Sequence, residues 1–269
     1  MKLWYQSMSR QSEWGSYPRI LRGVLDHVRD PDTEIHVAGI TEIGGTGDQY
    51  RYLEYLETGE VLKNVHRAVR EGFDAFLIGN IADPGLQEAR EIADIPVLGL
   101  CESALHVACM MGARFSLVTI NEKFTPRIVE NVWRYRLQDR MAAVNRMQVE
   151  RLTDLGAGFE PGPSRDAIVT QFRRAAKANA EAGAEVVIAA GGVVMALLAH
   201  AGIHEAAGLP ILNGITNLVK LGEMAVKTNR LMGGRFTSKR CTYAPPPAGQ
   251  IAEFRKYYGA DIYPTVKEG

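Results

Sequence analysis

Glu71-Gly72-Phe73-Asp74-Ala75-Phe76-Leu77-Ile78-Gly79-Asn80 and Ala182-Gly183-Ala184-Glu185-Val186-Val187-Ile188-Ala189-Ala190-Gly191 follow one formula. Each runs from a helix end through a glycine and an acidic residue into an apolar strand, and closes on a small or polar turn. In both halves a further helix follows, and then a short strand led by proline: Ile95-Pro96-Val97-Leu98-Gly99 in one, Leu209-Pro210-Ile211-Leu212-Asn213-Gly214 in the other. The echo predicts two similar α/β lobes related by a pseudo-twofold. In open parallel sheets ligands bind beyond the carboxyl ends of the strands, so such an axis would turn two binding edges toward one cleft, with Asn80 facing Gly191.

Short apolar runs at residues 2–7, 34–39, 75–79, 96–100, 115–120, 185–190 and 210–212 alternate with longer segments of helical period. After Tyr52, for example, Leu53, Leu56, Val61, Leu62, Val65 and Val69 recur at intervals near three and four. That alternation is the signature of parallel sheets flanked by helices. Residues 1–112 with 213–269 are expected to form the first lobe and 113–212 the second. From Gly233 the pattern becomes irregular, with Pro245-Pro246-Pro247, and residues 250–258 read equally as a short packed helix or as an unstructured tail.

The chain has 269 residues, 46% of them hydrophobic and 23% charged, enough for a substantial core. Lys+Arg 31 balances Asp+Glu 31, which leaves no field to draw nucleic acid or an acidic membrane. Three cysteines, Cys101, Cys109 and Cys241, do not make a disulfide framework, and a reducing compartment is expected. No apolar run reaches the roughly 20 residues that span a bilayer. The first seven residues lack the order of a signal peptide, so a cytoplasmic location is expected.

Several chemistries lose their usual support. Gly44-Gly45-Thr46-Gly47-Asp48-Gln49 lacks the lysine of a phosphate-binding loop and reads as a mobile loop after a strand. No dinucleotide fingerprint, Cys-x-x-Cys, His-Glu-x-x-His or Gly-x-Ser-x-Gly occurs, and no cofactor and no metal are expected. His27, His36, His66 and His204 stand apart from acidic or cysteine clusters and read as structural. Glu102 and His106 lie four residues apart on one helix face, which suits an acid/base pair, a metal half-site or an internal helical pair. Cys101 opens a helix directly after a strand, where the unpaired N–H groups and the dipole favour a thiolate; it reads as a nucleophile or base, or else as a small buried apolar residue. Polar residues gather at strand ends: Gln6, Ser7 and Ser9, then Asn80 and Asp83, then Thr119 and Asn121. There backbone and side-chain donors converge on a carboxylate- or carbonyl-bearing small molecule, although Asp83 before Pro84 also suits a helix cap.

The stretch Ile78-Gly79-Asn80-Ile81-Ala82-Asp83-Pro84-Gly85-Leu86-Gln87-Glu88-Ala89-Arg90, with residues 95–106, 115–119 and 210–214, resembles the aspartate/glutamate/hydantoin racemase superfamily, and hydantoin racemases in particular. The resemblance implies the two-lobed fold, a homo-oligomer and cofactor-free racemisation by two cysteines on opposite lobes, one acting as base and the other as acid. At the matching positions this chain has Asn80 and, in the run Ala190-Gly191-Gly192-Val193, no ionisable side chain. What remains is a cleft that can stabilise an enolate or oxyanion, with Gly191 and Gly192 offering backbone N–H groups. The expected activity is therefore a cofactor-independent reaction on a small carboxylate or a hydantoin-like cyclic amide. Lyase, isomerase or hydrolase chemistry is favoured over two-base racemisation, and the alternative is a binding protein that kept the cleft. Asn80, Cys101, Glu102, His106, Gly191 and Gly192 are the catalytic candidates, and Gln6, Ser7, Ser9, Asp83, Thr119 and Asn121 the binding ones.

Overall fold

A computed structural model describes residues 1–263. Four parallel strands, β1 (Lys2–Gln6), β2 (Glu34–Ala38), β3 (Ala75–Ile78) and β4 (Val97–Gly99), pair in the order β2-β1-β3-β4. A second sheet contains β5 (Phe115–Thr119), β6 (Met141–Arg146), β7 (Val186–Ala190), β8 (Glu205–Ala206) and β9 (Leu209–Leu212), in the order β6-β5-β7-β9-β8. Its first four positions repeat the order of the first sheet, and only the edge strand β8 runs antiparallel. The fold is thus α/β with two similar lobes.

Each residue of the echo has the same task in both lobes. Gly72 and Gly183 take positive φ, +72° and +85°, and end the helices α2 (Arg51–Arg70) and α6 (Pro163–Glu181) in a left-handed turn. The following amides reach back to Ala68 and Asn179, at 3.0 and 3.1 Å. The acidic residue then ties the neighbouring strand: Asp74 accepts the Lys2 N–H and Glu185 the Ala113 N–H, both at 2.7 Å. β3 and β7, buried along their whole length, occupy the same place in their sheets.

Burial on both faces explains why these strands read as continuous apolar runs. In the first lobe Trp4, Phe76, Ile78 and Val97 face Val61, Val65 and Ala68 of α2 and Leu86 and Ala89 of α3 (Leu86–Ile92). Leu3, Tyr5, Leu77 and Leu98 point the other way, into a core continuous with the second lobe. α1 (Tyr17–Val28), α4 (Leu100–Met111) and α8 (Gly214–Leu231) contribute to that shared core. α8 follows the second sheet yet lies against β3, where Gly222 leaves room for Leu77: a Cβ there would stand 2.8 Å from it.

Two strands escape the sequence reading. β6 is a half-exposed edge strand of Met-Ala-Ala-Val-Asn-Arg, without the β-branched density or alternation that marks a strand. β8 has only two residues. In the irregular tail a helix, α9 (Ala248–Tyr258), does form, and it buries Ile251. Among the described residues no helix is long and apolar enough to cross a membrane.

Candidate active site

The carboxyl ends of β1, β3, β5 and β7 converge on one small cavity of about 40 Å³. Ser7 and Ser9 come from the end of β1, Gly79, Asn80 and Ile81 from β3, Ile120 and Phe124 from β5, and Gly191, Gly192 and Val193 from β7. Trp14 and Tyr17 at the start of α1, Asp48 in the loop between β2 and α2, and Met8 and Leu152 complete the wall. As it stands the space holds about two or three water molecules and opens to solvent.

Asn80 has a defined orientation. Its Oδ1 accepts the Ala82 N–H at 2.8 Å, which turns Nδ2 to donate to Asp48 Oδ2 at 2.6 Å. The turn behind it is gripped from the second lobe by α5 (Thr125–Arg134): Asn131 Nδ2 donates to the Ala82 carbonyl at 2.9 Å and Arg127 Nη2 to the same oxygen at 2.7 Å. Across the cavity α7 (Gly192–His200) begins without a side-chain cap, so that no side chain caps the first turn at the cavity-lining residues Gly192 and Val193. The Gly191 N–H already donates to the Ala189 carbonyl at 2.8 Å.

Asp48 and Tyr17 are the ionisable groups of the wall. Burial raises the Asp48 carboxyl to about 6, only partly offset by the Asn80 hydrogen bond. Burial likewise pushes the Tyr17 phenol up, against a hydrogen bond with Ser7. Ser7 and Ser9 share a hydroxyl contact of 2.8 Å. Among the described residues no Lys, Arg, His or Cys lines this cavity. Among the described residues no group of three or more His, Cys, Asp or Glu gathers as a metal site.

The sequence candidates divide. Ser7, Ser9, Asn80, Gly191 and Gly192 meet at the cavity. Cys101, Glu102 and His106 do not line it. The fully buried Cys101 thiol is pushed up by burial and by the adjacent Asp83 carboxylate, so the helix start does not activate it. The reason is that Asp83 already occupies that helix start, accepting the N–H groups of Cys101 and Glu102 at 2.8 Å each and the Tyr135 hydroxyl at 2.8 Å. Asp83 therefore caps α4 across the sheet, where the sequence suggested the helix after Pro84. Glu102 pairs with Arg90 rather than His106, and the His106 Nδ1 meets only the Glu102 carbonyl, at 2.8 Å.

Gln6, Thr119 and Asn121 are likewise spent on structure. Gln6 Oε1 accepts from Trp4 Nε1 and Asn64 Nδ2, Thr119 Oγ1 meets Thr125 Oγ1 at 2.6 Å, and Asn121 Nδ2 donates to Gln49 Oε1 at 2.7 Å. The loop read as mobile is anchored throughout. Arg10 donates to the Thr41 and Gly44 carbonyls, Trp14 Nε1 to the Gly45 carbonyl, and Glu57 accepts the Gly45 N–H. Asp48 and Tyr17 went unnoticed in the sequence, since an acid in a glycine-rich loop and a tyrosine opening a helix carry no local sign of a shared cavity.

Two parallel sheets of matching order, meeting strand end to strand end around a cavity, define a two-lobed α/β protein with its candidate site between the lobes. The chain belongs to the Asp/Glu/hydantoin racemase family, whose model matches residues 16–222. It is 33% identical to a hydantoin racemase of Pseudomonas sp. (strain NS671) over 230 residues, 85% of this chain and 84% of that protein. A hydantoin racemase of Rhizobium meliloti is 31% identical over 193 residues, covering 72% of this chain and 75% of the relative. The solved allantoin racemase from Klebsiella pneumoniae superposes with a TM-score of 0.74 at 25% identity, over 92% of this chain and 94% of that one.

Proposed function

We propose that the chain is a cofactor-independent enzyme that takes a small, neutral, hydantoin-like cyclic amide into the inter-lobe cavity and acts at the carbon next to a carbonyl group. The observation that carries this reading is that Asn80, at the end of β3, and the uncapped start of α7, at the end of β7, line one cavity. A substrate carbonyl on the Gly192 and Val193 N–H groups would have its developing negative charge stabilised as an enolate or oxyanion. A carboxylate substrate fits less well, since it would meet the buried Asp48 carboxyl with no lining cation to balance it. Relatives named as hydantoin and allantoin racemases support the cyclic amide.

Two-thiol racemisation lacks its groups here, because no cysteine lines the cavity. Isomerisation through an enolate, or a lyase or hydrolase reaction on the same oxyanion, uses what is present. The test incubates the protein in deuterated water with substituted hydantoins, allantoin, amino acids and malonates, and reads masses. A one-unit shift in a hydantoin supports enolate chemistry, and a new mass assigns a lyase or hydrolase. Saturable binding with neither change would replace the enzyme with a binding protein, the reading that the absent thiols favour.

A further inference from the structure

We propose that Asp48 is the proton-transfer group of this cavity, taking the carbon-bound proton of a substrate whose carbonyl oxygen rests on the N–H groups that open α7. The inference rests on the enolate reading above and names its base. Three observations on geometry support it. Asp48 lines the cavity and is the only carboxyl group among the described residues that do. One of its oxygens is held by Asn80 Nδ2 at 2.6 Å, an amide whose own orientation is set by the Ala82 N–H. Its loop is tied to both lobes, through Glu57 to the Gly45 N–H at 2.8 Å and through Gln49 to Asn121 at 2.7 Å, which keeps the carboxyl at the seam.

The proton balance closes without a co-reactant. The substrate C–H bond breaks and an O–H bond forms on Asp48, while the electron pair passes to the carbonyl oxygen as an enolate held by the Gly192 and Val193 N–H groups. Return of hydrogen from Asp48 to the carbon, after exchange with solvent, restores the substrate with a solvent-derived hydrogen. The groups facing Asp48 are Tyr17 on α1, Asn80 after β3, and Glu54 and Glu57 on α2. Glu54, paired with Arg127 at 2.8 Å, adds a smaller upward push to that of burial, and the cavity residues of α7, Gly192 and Val193, carry no charge. No cation therefore holds Asp48 permanently ionised, and burial sets its titration at about 6. The base form is present above that pH, so exchange should rise with pH through about 6 and then level.

The full chain and its Asp48→Asn variant are compared in deuterated water with a substituted hydantoin, by mass spectrometry for exchange and calorimetry for binding, across pH values bracketing about 6. The proposal expects a wild-type rate that rises to a plateau and a loss of about a hundredfold or more in the variant, with binding kept within a few-fold. Asn80→Ala, which keeps the carboxyl but removes the donor that stabilises its charged form, should move the midpoint to higher pH. An Asp48→Asn protein exchanging at the wild-type rate, or a wild-type rate flat through pH 6, would overturn the role of Asp48 while leaving the enolate reading intact. Wild-type binding of the hydantoin without exchange would instead overturn the enolate reading, and Asp48's role with it.

Discussion

Gly191 and Gly192 adjoin in the chain but answer to different constraints. A Cβ on Gly191 would stand 2.4 Å from Ile120 Cδ1 and 2.7 Å from its Cγ1, so that side chain would have to shift, whereas on Gly192 the nearest atom is the Gly79 carbonyl oxygen at 3.6 Å. Gly191→Ala should therefore cost about 1–3 kcal/mol of stability through overpacking. Gly192→Ala should melt like the wild type but lose ligand, because its methyl group enters a cavity of about 40 Å³. Thermal melts and a binding titration of the two variants check this, and equal melting temperatures would remove the distinction. The pair was visible in the sequence as a site feature; that Gly191 also packs tightly on another side chain was not, since that depends on Ile120 arriving from another strand. Asp48 is the stronger case, a residue whose surroundings come from β3, α1 and the far lobe.

At the scale of elements, the seam between the lobes is an ion-paired contact of α2 with α5. Arg127 donates to both oxygens of Glu54, at 2.8 and 3.0 Å, and the two side chains are only 12% and 9% exposed. Arg51 pairs with Glu130 beside them, in the open. Arg127→Ala would strand a buried carboxylate and leave the Ala82 carbonyl with Asn131 as its side-chain donor, and should destabilise by about 3–5 kcal/mol. The double variant Arg127→Met/Glu54→Gln should lose clearly less than the sum of its single changes. Chemical denaturation of the wild type, Arg127→Met, Glu54→Gln and the double variant decides, and additive losses would mean that the pair is not coupled. Apolar periodicity alone misreads this helix. Leu53 is exposed, while Glu54, Glu57 and Glu60 are buried alongside Val61, Val65 and Ala68, because the partners of these acids are backbone N–H groups of the 41–45 loop and an arginine from the other lobe. Asp83 escapes in the same way, since the helix it caps begins across the sheet and not at its own Pro84.

For the whole molecule, these buried acids predict an unusual pH response. Burial raises Asp48 to about 6 and Glu57 to about 7, against ordinary carboxyl values near 4 in the unfolded chain. Both groups hold their proton more tightly when folded, so their contribution to stability is complete below pH ~4 and is lost as pH rises through 6 to 7. Unfolding free energy, and melting temperature with it, should accordingly fall between about pH 4 and pH 7, by an amount of order 2 kcal/mol per group. Asp48→Asn combined with Glu57→Gln should make the curve shallower, the buried Asp83, also raised to about 7, keeping part of the slope, and a wild-type melting temperature that rises over this range would contradict the assignment. By itself the sequence determined the two lobes, their strand-turn-helix repeat and the facing turns at Asn80 and Gly191–Gly192, because local rules govern strands, glycine-ended helices and proline-led strands. Only the tertiary structure decided that Cys101, Glu102 and His106 lie off the cavity and that Asp48 lies on it. The physical reason is that a side chain's role follows from partners brought near in space, and here those partners sit tens of residues away and often on the opposite lobe.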